Sequence, residues 1–412
     1  MPLRHYTSAR RILTLPSMAF ALGMPGYAAW AAEPTSGPAA IYAGPFAITP
    51  TLGMDFVYRD NIYLQENDKT DSWIFTARPE VTARAQDRDN FYQLKYTGQT
   101  SRYKEDSSND RNNYFDNTLS ADAFLALAER WEASAYASYA WLHEDRGTGL
   151  TEGAIGDFIS EPVEYEQADM GGLVSYGSDV GRLEVSGSVM ERRYQNFQDL
   201  TRSRDRDEYT LGVTFFYPIA PKTDIFLDYL YKDISYPNPF EQIPPLDSQE
   251  NSLQAGVEWE ITPNLKSTAQ AGYIDKSFDS SERQDWDGIG WSLQLWMQPR
   301  EQDTIVISGK RAPDETTLQG DFIKRESLTV DWTHDWSDRV YTNLSGTAGR
   351  DTYEGSLNDR EDDIYNVTAR VGYQFRRWAS FYTSYAWDDK NSNADNLSYT
   401  GQTFTIGVDL SL

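Results

Sequence analysis

The stretch YNVTARVGYQFRRWASFYTSYAW, running from Tyr365 to Trp387, decides the fold. Tyr365, Val367, Ala369, Val371, Tyr373 and Phe375 alternate with Asn366, Thr368, Arg370, Gly372 and Gln374. Alternation at every second residue places an apolar set and a polar set on opposite faces of a β-strand. The pattern breaks at FRRW and resumes with Phe381, Thr383, Tyr385 and Trp387, so the stretch reads as two long strands joined by a tight turn. A hairpin of this kind serves a soluble sandwich or a membrane barrel, and the rest of the chain has to separate the two.

The same alternation recurs along the whole chain. Leu183, Val185, Gly187 and Val189 alternate with Arg182, Glu184, Ser186 and Ser188. Leu253, Ala255, Val257, Trp259 and Ile261 alternate with polar residues, as do Leu328, Val330 and Trp332. The strands read as about 10–13 residues long, beyond the usual 5–6. Tight turns such as AQDRDN (85–90), ITPN (261–264) and DWSD (335–338) take turns with long polar loops such as KEDSSNDRNN (104–113) and GSLNDREDD (355–363). The repeat of roughly 40 residues also matches a propeller blade, but a blade packs four short strands into that length where this chain has two long ones. Rings gather toward strand ends: Trp131 and Trp141, Trp259, Trp286 and Trp291, Trp332 and Trp336, Trp378 and Trp387. Tryptophan and tyrosine at both ends of an apolar band are what the two interfaces of a bilayer select.

Composition agrees. Of 412 residues, 14% are aromatic, yet mean hydropathy is −0.63. Large rings need dry surroundings, and past residue 32 no run of ~18 apolar residues offers a membrane helix. A transmembrane barrel resolves the conflict, because its strands interleave lipid-facing and water-facing residues. The reading is therefore all-β, a transmembrane antiparallel up-and-down barrel of about 18 strands, with 16 as the alternative count. The strand near residue 52 and the one near 308 are the two least marked.

Residues 1–31 have the layout of a secretory signal: Arg4, Arg10 and Arg11, an apolar run from Ile12 to Ala28, then Ala29-Trp30-Ala31. Residues 32–45 form a short periplasmic lead and 46–412 the barrel. There is no cysteine, which removes disulfide and thiol chemistry, and a net charge of −26 argues against nucleic acid as a partner.

Where chemistry could reside is limited. Outside the leader the histidines are His143 and His334, and no G-x-S-x-G, H-E-x-x-H or phosphate-cradling loop is present. Ser337, three residues after His334, is a poor imitation of a lipase-like pair, so the expectation is that the protein is not an enzyme and needs no cofactor. Asp389, Asn391, Asn393 and Asp395 repeat like the first half of a calcium loop, but Ala394 and Thr400 stand where Gly and Glu are needed, and no metal is expected. The inward polar faces carry Arg78, Glu80, Arg84, Lys95, Arg182, Glu184, Glu258, Glu260, Lys266, Arg325, Asp331 and Arg370, a mixed wall suited to tuning which hydrated solutes pass. Because about eighteen strands leave a lumen too wide for wall side chains to fill, segments 145–164 and 237–250 are the candidates to fold inward.

The final strand, YTGQTFTIGVDLSL, resembles those read by the outer-membrane barrel-assembly machinery, departing from them in ending at Leu412. With ITPTLGMDFVYRDNIYL (48–64) at the opening, repeated Tyr- and Asp-rich hairpins, and the closing TFTIGVDLSL, the chain resembles the putative beta-barrel porin 2 family over residues 46–412. That resemblance implies a Gram-negative outer-membrane location, outer-membrane lipids as surroundings, and association with exopolysaccharide export systems and their cargo. The expected function is a porin-like channel for polar solutes or secreted polysaccharide. A general diffusion porin, a surface adhesin and a lipid-hydrolysing barrel remain open beside it.

Overall fold

The computed structural model describes residues 40–411 apart from 105–110, 154–155, 157–158, 179, 242, 317–318 and 357, so the expected leader lies outside the described residues. A three-residue strand, β1 (Ile41–Ala43), precedes eighteen long ones. These are β2 (Phe46–Arg59), β3 (Ser72–Asp87), β4 (Asn90–Tyr103), β5 (Tyr114–Ala128), β6 (Trp131–Glu144), β7 (Val163–Gly177), β8 (Arg182–Tyr194), β9 (Arg206–Ala220) and β10 (Thr223–Ser235). They continue with β11 (Ser248–Thr262), β12 (Leu265–Phe278), β13 (Trp286–Arg300), β14 (Asp303–Glu315), β15 (Phe322–Ser337), β16 (Val340–Glu354), β17 (Glu361–Arg376), β18 (Ala379–Ser392) and β19 (Tyr399–Ser411). Each long strand is antiparallel to the one before it, and β19 pairs back onto β2 from Thr403↔Arg59 to Ser411↔Thr51. The ladder closes on itself, which leaves the barrel without a free edge.

The count is eighteen, and the sixteen-strand alternative falls because β2 and β14 are both fully paired. The strands run 13–16 residues, longer than the sequence reading, because charged residues at their extracellular ends stay on the ladder instead of joining the loops. A tilted strand crosses a bilayer in ~9–11 residues. Several residues of each strand therefore stand beyond the hydrocarbon.

The faces are inverted relative to a soluble protein. Outward Leu253, Leu328, Val330, Val367 and Val371 are each more than two-fifths exposed, whereas inward Asp55, Thr76, Glu184, Ser252 and Asp351 are buried. Trp131, Trp141, Trp259, Trp336 and Trp378 are exposed at strand ends, Trp291, Trp332 and Trp387 stand on outward positions, and Trp73 joins them beside Phe56 and Tyr58. Trp286 departs from the expected belt. It pairs with Lys276 on an inward position and packs on Phe322 at 5.4 Å.

Glycine has a specific use at the closing seam. A Cβ on Gly407 would lie 2.3 Å from the Tyr382 ring and 2.5 Å from an Asp55 carboxylate oxygen. Substituting Gly407→Val should displace that ring and weaken closure by about 1–3 kcal/mol, the usual range for overpacking. The check is the fraction of heat-modifiable, folded protein on unboiled gels after refolding, which should fall against wild type.

Candidate functional site

A strand spacing of about 4.8 Å and a tilt near 40° give eighteen strands a backbone cylinder roughly 35 Å across. Side chains alone cannot fill that width, so the loops decide how open the mouth is. The segment after β6 turns inward. Leu150 and Ile159 bury against Val163 and Tyr194 on the wall of β7 and β8, and Thr151 Oγ1 accepts a 2.8 Å hydrogen bond from the Gly147 amide. Gly147 takes φ of 86°, and a Cβ there would sit 2.0 Å from the Tyr63 carbonyl, so the turn can press against the β2–β3 loop only as glycine.

From this turn Glu152 reaches a distant part of the wall. Its carboxylate lies 2.9 Å from Arg360 Nη1 and accepts from Arg360 Nη2 at 3.0 Å and from Lys390 Nζ. Arg360 precedes β17 and Lys390 lies on β18, six strand positions around the barrel from β6. Arg360 Nε also donates to Asp362 at 3.0 Å, and Arg360, Asp362 and Lys390 are all buried. Two acids and two bases thus form a closed set that straps the segment across the extracellular mouth.

At the root of the strap Asp145 lies between His143, 3.0 Å away, and Arg59, 3.5 Å away. Burial opposes its ionisation, but the hydrogen bond from His143 and the nearby Arg59 charge prevail and hold the carboxyl below its usual range. A depressed folded pKa means that the stabilisation is fully present above the unfolded carboxylate value of about 4 and is lost as pH falls through the folded value. Single-channel current should therefore be quiet at neutral pH and grow noisy only as pH falls below the ordinary carboxylate value of about 4, and Asp145→Asn should show the noise already at neutral pH.

The second segment, after β10, is held from its sides. Arg283 Nε donates to the Pro245 carbonyl at 2.9 Å, and Asn238 Nδ2 donates to Asp205 at 3.0 Å. Beneath it Lys276 bridges Glu250 at 2.7 Å and Glu315 at 2.8 Å, and Glu208 joins Arg206 at 2.7 Å and Lys232 at 2.6 Å. None of these rim residues stood out in the sequence. The available signal was a charge at every second position near the extracellular ends of consecutive strands.

All twelve sequence-named lumen residues occupy inward positions of their strands, by alternation with the exposed outward ones. Lys95 pairs with Glu80 at 3.0 Å, Arg84 donates to Gln93 at 2.8 Å, and Arg325 bridges Asp314 and Asp351. Lys266 lies 6.0 Å from the Trp296 ring, and Asp331 is registered opposite Val306 and Ser345. Arg78 donates to Asp55 at 2.8 Å, to Asp409 at 3.1 Å and to Tyr382 at 3.0 Å, while Arg370 stacks 3.5 Å over Tyr382. This lattice ties the barrel's two end strands together.

Charge is not evenly spread. From mid-strand to the periplasmic ends of β5–β11, Asp122, Glu132, Asp169, Asp224, Asp228 and Glu258 occupy inward positions alongside Glu184 and Glu260. Arg182 is the one cation among them within the described strands, 3.0 Å from both Glu184 and Glu258 and 3.8 Å over Phe216. The opposite arc is mixed, with Lys95, Arg84, Arg78, Arg370 and Lys266 beside Asp55, Glu80, Asp331 and Asp409. A field crosses the pore from one arc to the other.

Among the described residues no hydrolytic set is assembled around His143 or His334. His143 Nδ1 is 2.9 Å from Asp116, and His334 Nδ1 is 2.7 Å from Asp303 on the outer face between Trp332 and Trp336. The Ser337 hydroxyl accepts from turn amides instead. Asp389 and Asn391 lie extended within β18 and Asn393 Oδ1 accepts from the Glu361 amide, so with Asp395 they do not converge as a calcium loop would. Among the described residues no group of three histidine or acidic side chains could hold a metal.

The sequence model of the putative beta-barrel porin 2 family matches residues 33–412, and the chain belongs to that family. No curated protein sequence matches it. Among solved structures it is similar to OpdL of Pseudomonas aeruginosa, 12% identical with a TM-score of 0.46 over 90% of this chain and 99% of that one. It is also similar to OccAB2 of Acinetobacter baumannii, 11% identical with a TM-score of 0.47 over 89% and 98%. OccK9 (OpdG) of Pseudomonas aeruginosa is 11% identical, with a TM-score of 0.48 over 89% and 98%.

Proposed function

We propose that this outer-membrane porin-family barrel is a passive channel for small polar solutes, entered through a strapped mouth and biased toward cations. The observation that carries the reading is the Glu152 strap lying across a barrel too wide to be closed by its wall. The acidic arc on β5–β11 supports the cation bias, since clefts lined by one sign of charge raise the local concentration of the other. The exposed outward belt suits surrounding outer-membrane lipids, and assembly would fall to the barrel-assembly machinery. No lumen residue is given a catalytic role, and no cofactor or metal is called for.

A second reading has a specific observation behind it. Inward rings at Tyr136, Phe216, Phe226, Trp296, Tyr341 and Tyr382 offer sugar faces something to stack on. Passage of secreted polysaccharide, fed by export-system proteins, would use those rings and require the strap to release.

The experiment is swelling of vesicles containing the refolded chain, residues 32–412, in sugars of graded size, with single-channel conductance alongside. Swelling with mono- and disaccharides but not with a long dextran supports the small-solute channel. Dextran entry favours the polymer reading, and a folded, silent barrel rejects both.

A further inference from the structure

The ladder opens at the extracellular rim between β5 and β6, as it also does between β13 and β14 above Trp291↔Arg311. β4 and β5 stay paired up to Ser101↔Tyr114, and β6 and β7 up to Glu144↔Val163, but β5 and β6 part above Asn117↔Trp141. The last three residues of each strand splay at the extracellular rim. His143 fills the inner part of the gap, its ring stacked 3.7 Å from that of Tyr114 and its nitrogens on Asp116 and Asp145. Outside it lies a cavity of about 540 Å³, large enough for a small organic ligand.

The lining is chemically one-sided. Tyr96, Phe115 and Trp141 present rings from outward positions, with Phe115 and Trp141 exposed. Glu164 and Glu166 bring carboxylates from outward positions of β7, Glu166 accepting a hydrogen bond from Tyr139. No lysine or arginine is among the lining residues. Rings alone would suit the bilayer interface, but two carboxylates are not needed for that, and the arginine in register opposite Glu166, Arg193, has its guanidinium on Glu191 and Asp207. The basic side chain of the lining, His143, lies between Asp116 and Asp145, so an anion, including a lipid phosphate, would meet a lining that is negative on balance.

We propose that this cavity is a binding site for an organic cation, an ammonium group carried on a small apolar body. Aromatic faces attract such a group through their quadrupoles, and desolvated pairs of this kind contribute most. Glu164 and Glu166 would supply the opposite charge at the cavity edge. The ammonium could come from a free solute or from a lipid headgroup, since the site opens at the outer-leaflet interface. The proposal is independent of the channel reading, because the cavity lies in the wall and not in the lumen.

The test is calorimetric titration of the full refolded chain, in phosphatidylglycerol vesicles, with choline and with its uncharged tert-butyl analogue. Choline should bind saturably, with the analogue at least about tenfold weaker, and an E164Q/E166Q variant should lose affinity for choline by about the same factor. Trp141→Leu, which keeps an apolar outward residue, should weaken choline as well, and gel mobility of unboiled samples confirms that each variant is folded. Repeating the titration in phosphatidylethanolamine vesicles separates the sources. Unchanged choline affinity there means a free solute is the ligand, and loss of the choline heat means the headgroup already occupies the site. Absence of saturable binding in phosphatidylglycerol, equal binding of the uncharged analogue, or indifference to E164Q/E166Q overturns the proposal.

Discussion

Replacing Glu152 by alanine should raise single-channel conductance at least about twofold and convert a steady current into a flickering one. The carboxylate is shared by Arg360 and Lys390, both buried, and its removal leaves two cations with Asp362 as their remaining close partner. Breaking a buried ion pair from one side costs about 3–5 kcal/mol, much of it from the stranded charge. The least costly response is for the strap to leave the wall and let water reach the cations. A barrel stripped of the strap keeps its ladder, so folding yield should hold while conductance changes. A conductance unaltered by Glu152→Ala would mean that the strap does not narrow the path, and the reading of the mouth would fall.

The second large effect concerns which ions pass. Zero-current potentials across a tenfold salt gradient should show cation preference in the wild type. Replacing Asp122, Asp169 and Asp228 with asparagine should reduce the cation-to-anion permeability ratio by roughly threefold or more, because these three carboxylates sit on one side of the lumen near mid-strand. Arg182→Ala should act in the opposite sense. That arginine lies between Glu184 and Glu258, so its loss frees two negative charges and should sharpen cation preference. It also leaves buried Glu184 without its partner, so a loss of stability of a few kcal/mol should accompany the change. If the triple variant and wild type show the same reversal potential, the acidic arc is not what ions see.

Much of this was legible in the sequence, for a physical reason. Side-chain direction in a strand depends only on parity, so Leu253 and Trp259 going outward fixes Glu258 inward without any knowledge of neighbours. The strand number follows from the same parity counted between turns. Parity says nothing about what an inward side chain will meet. Glu152 finds partners 208 and 238 residues away, and Arg182 reaches Glu258 past two intervening strands. Arg78 was readable as a lumen charge, but its place in the lattice with Asp55, Asp409 and Tyr382 depends on closure, which no local pattern encodes. Trp286 misled because a ring near a strand end looks like a belt residue, while its position opposite Lys276 turns it inward.

The closing ladder between β2 and β19 has a further consequence for how the chain becomes a cylinder. Every other junction joins strands adjacent in sequence, so most of the ladder can zip outward from its own turns. The last junction joins Thr51 to Ser411, residues 360 positions apart, and a loop of that length carries an entropic penalty of about 5 kcal/mol on the logarithmic law, before the constant common to all loops. That whole penalty is concentrated in one seam of nine registered pairs, the one crossed by the Arg78 guanidinium. The molecule is thus a linear sheet whose circularity depends on a single late contact. Joining the two ends and reopening the chain at the Arg88–Asp89 turn would leave the same cylinder but move its hardest step to another pair of strands.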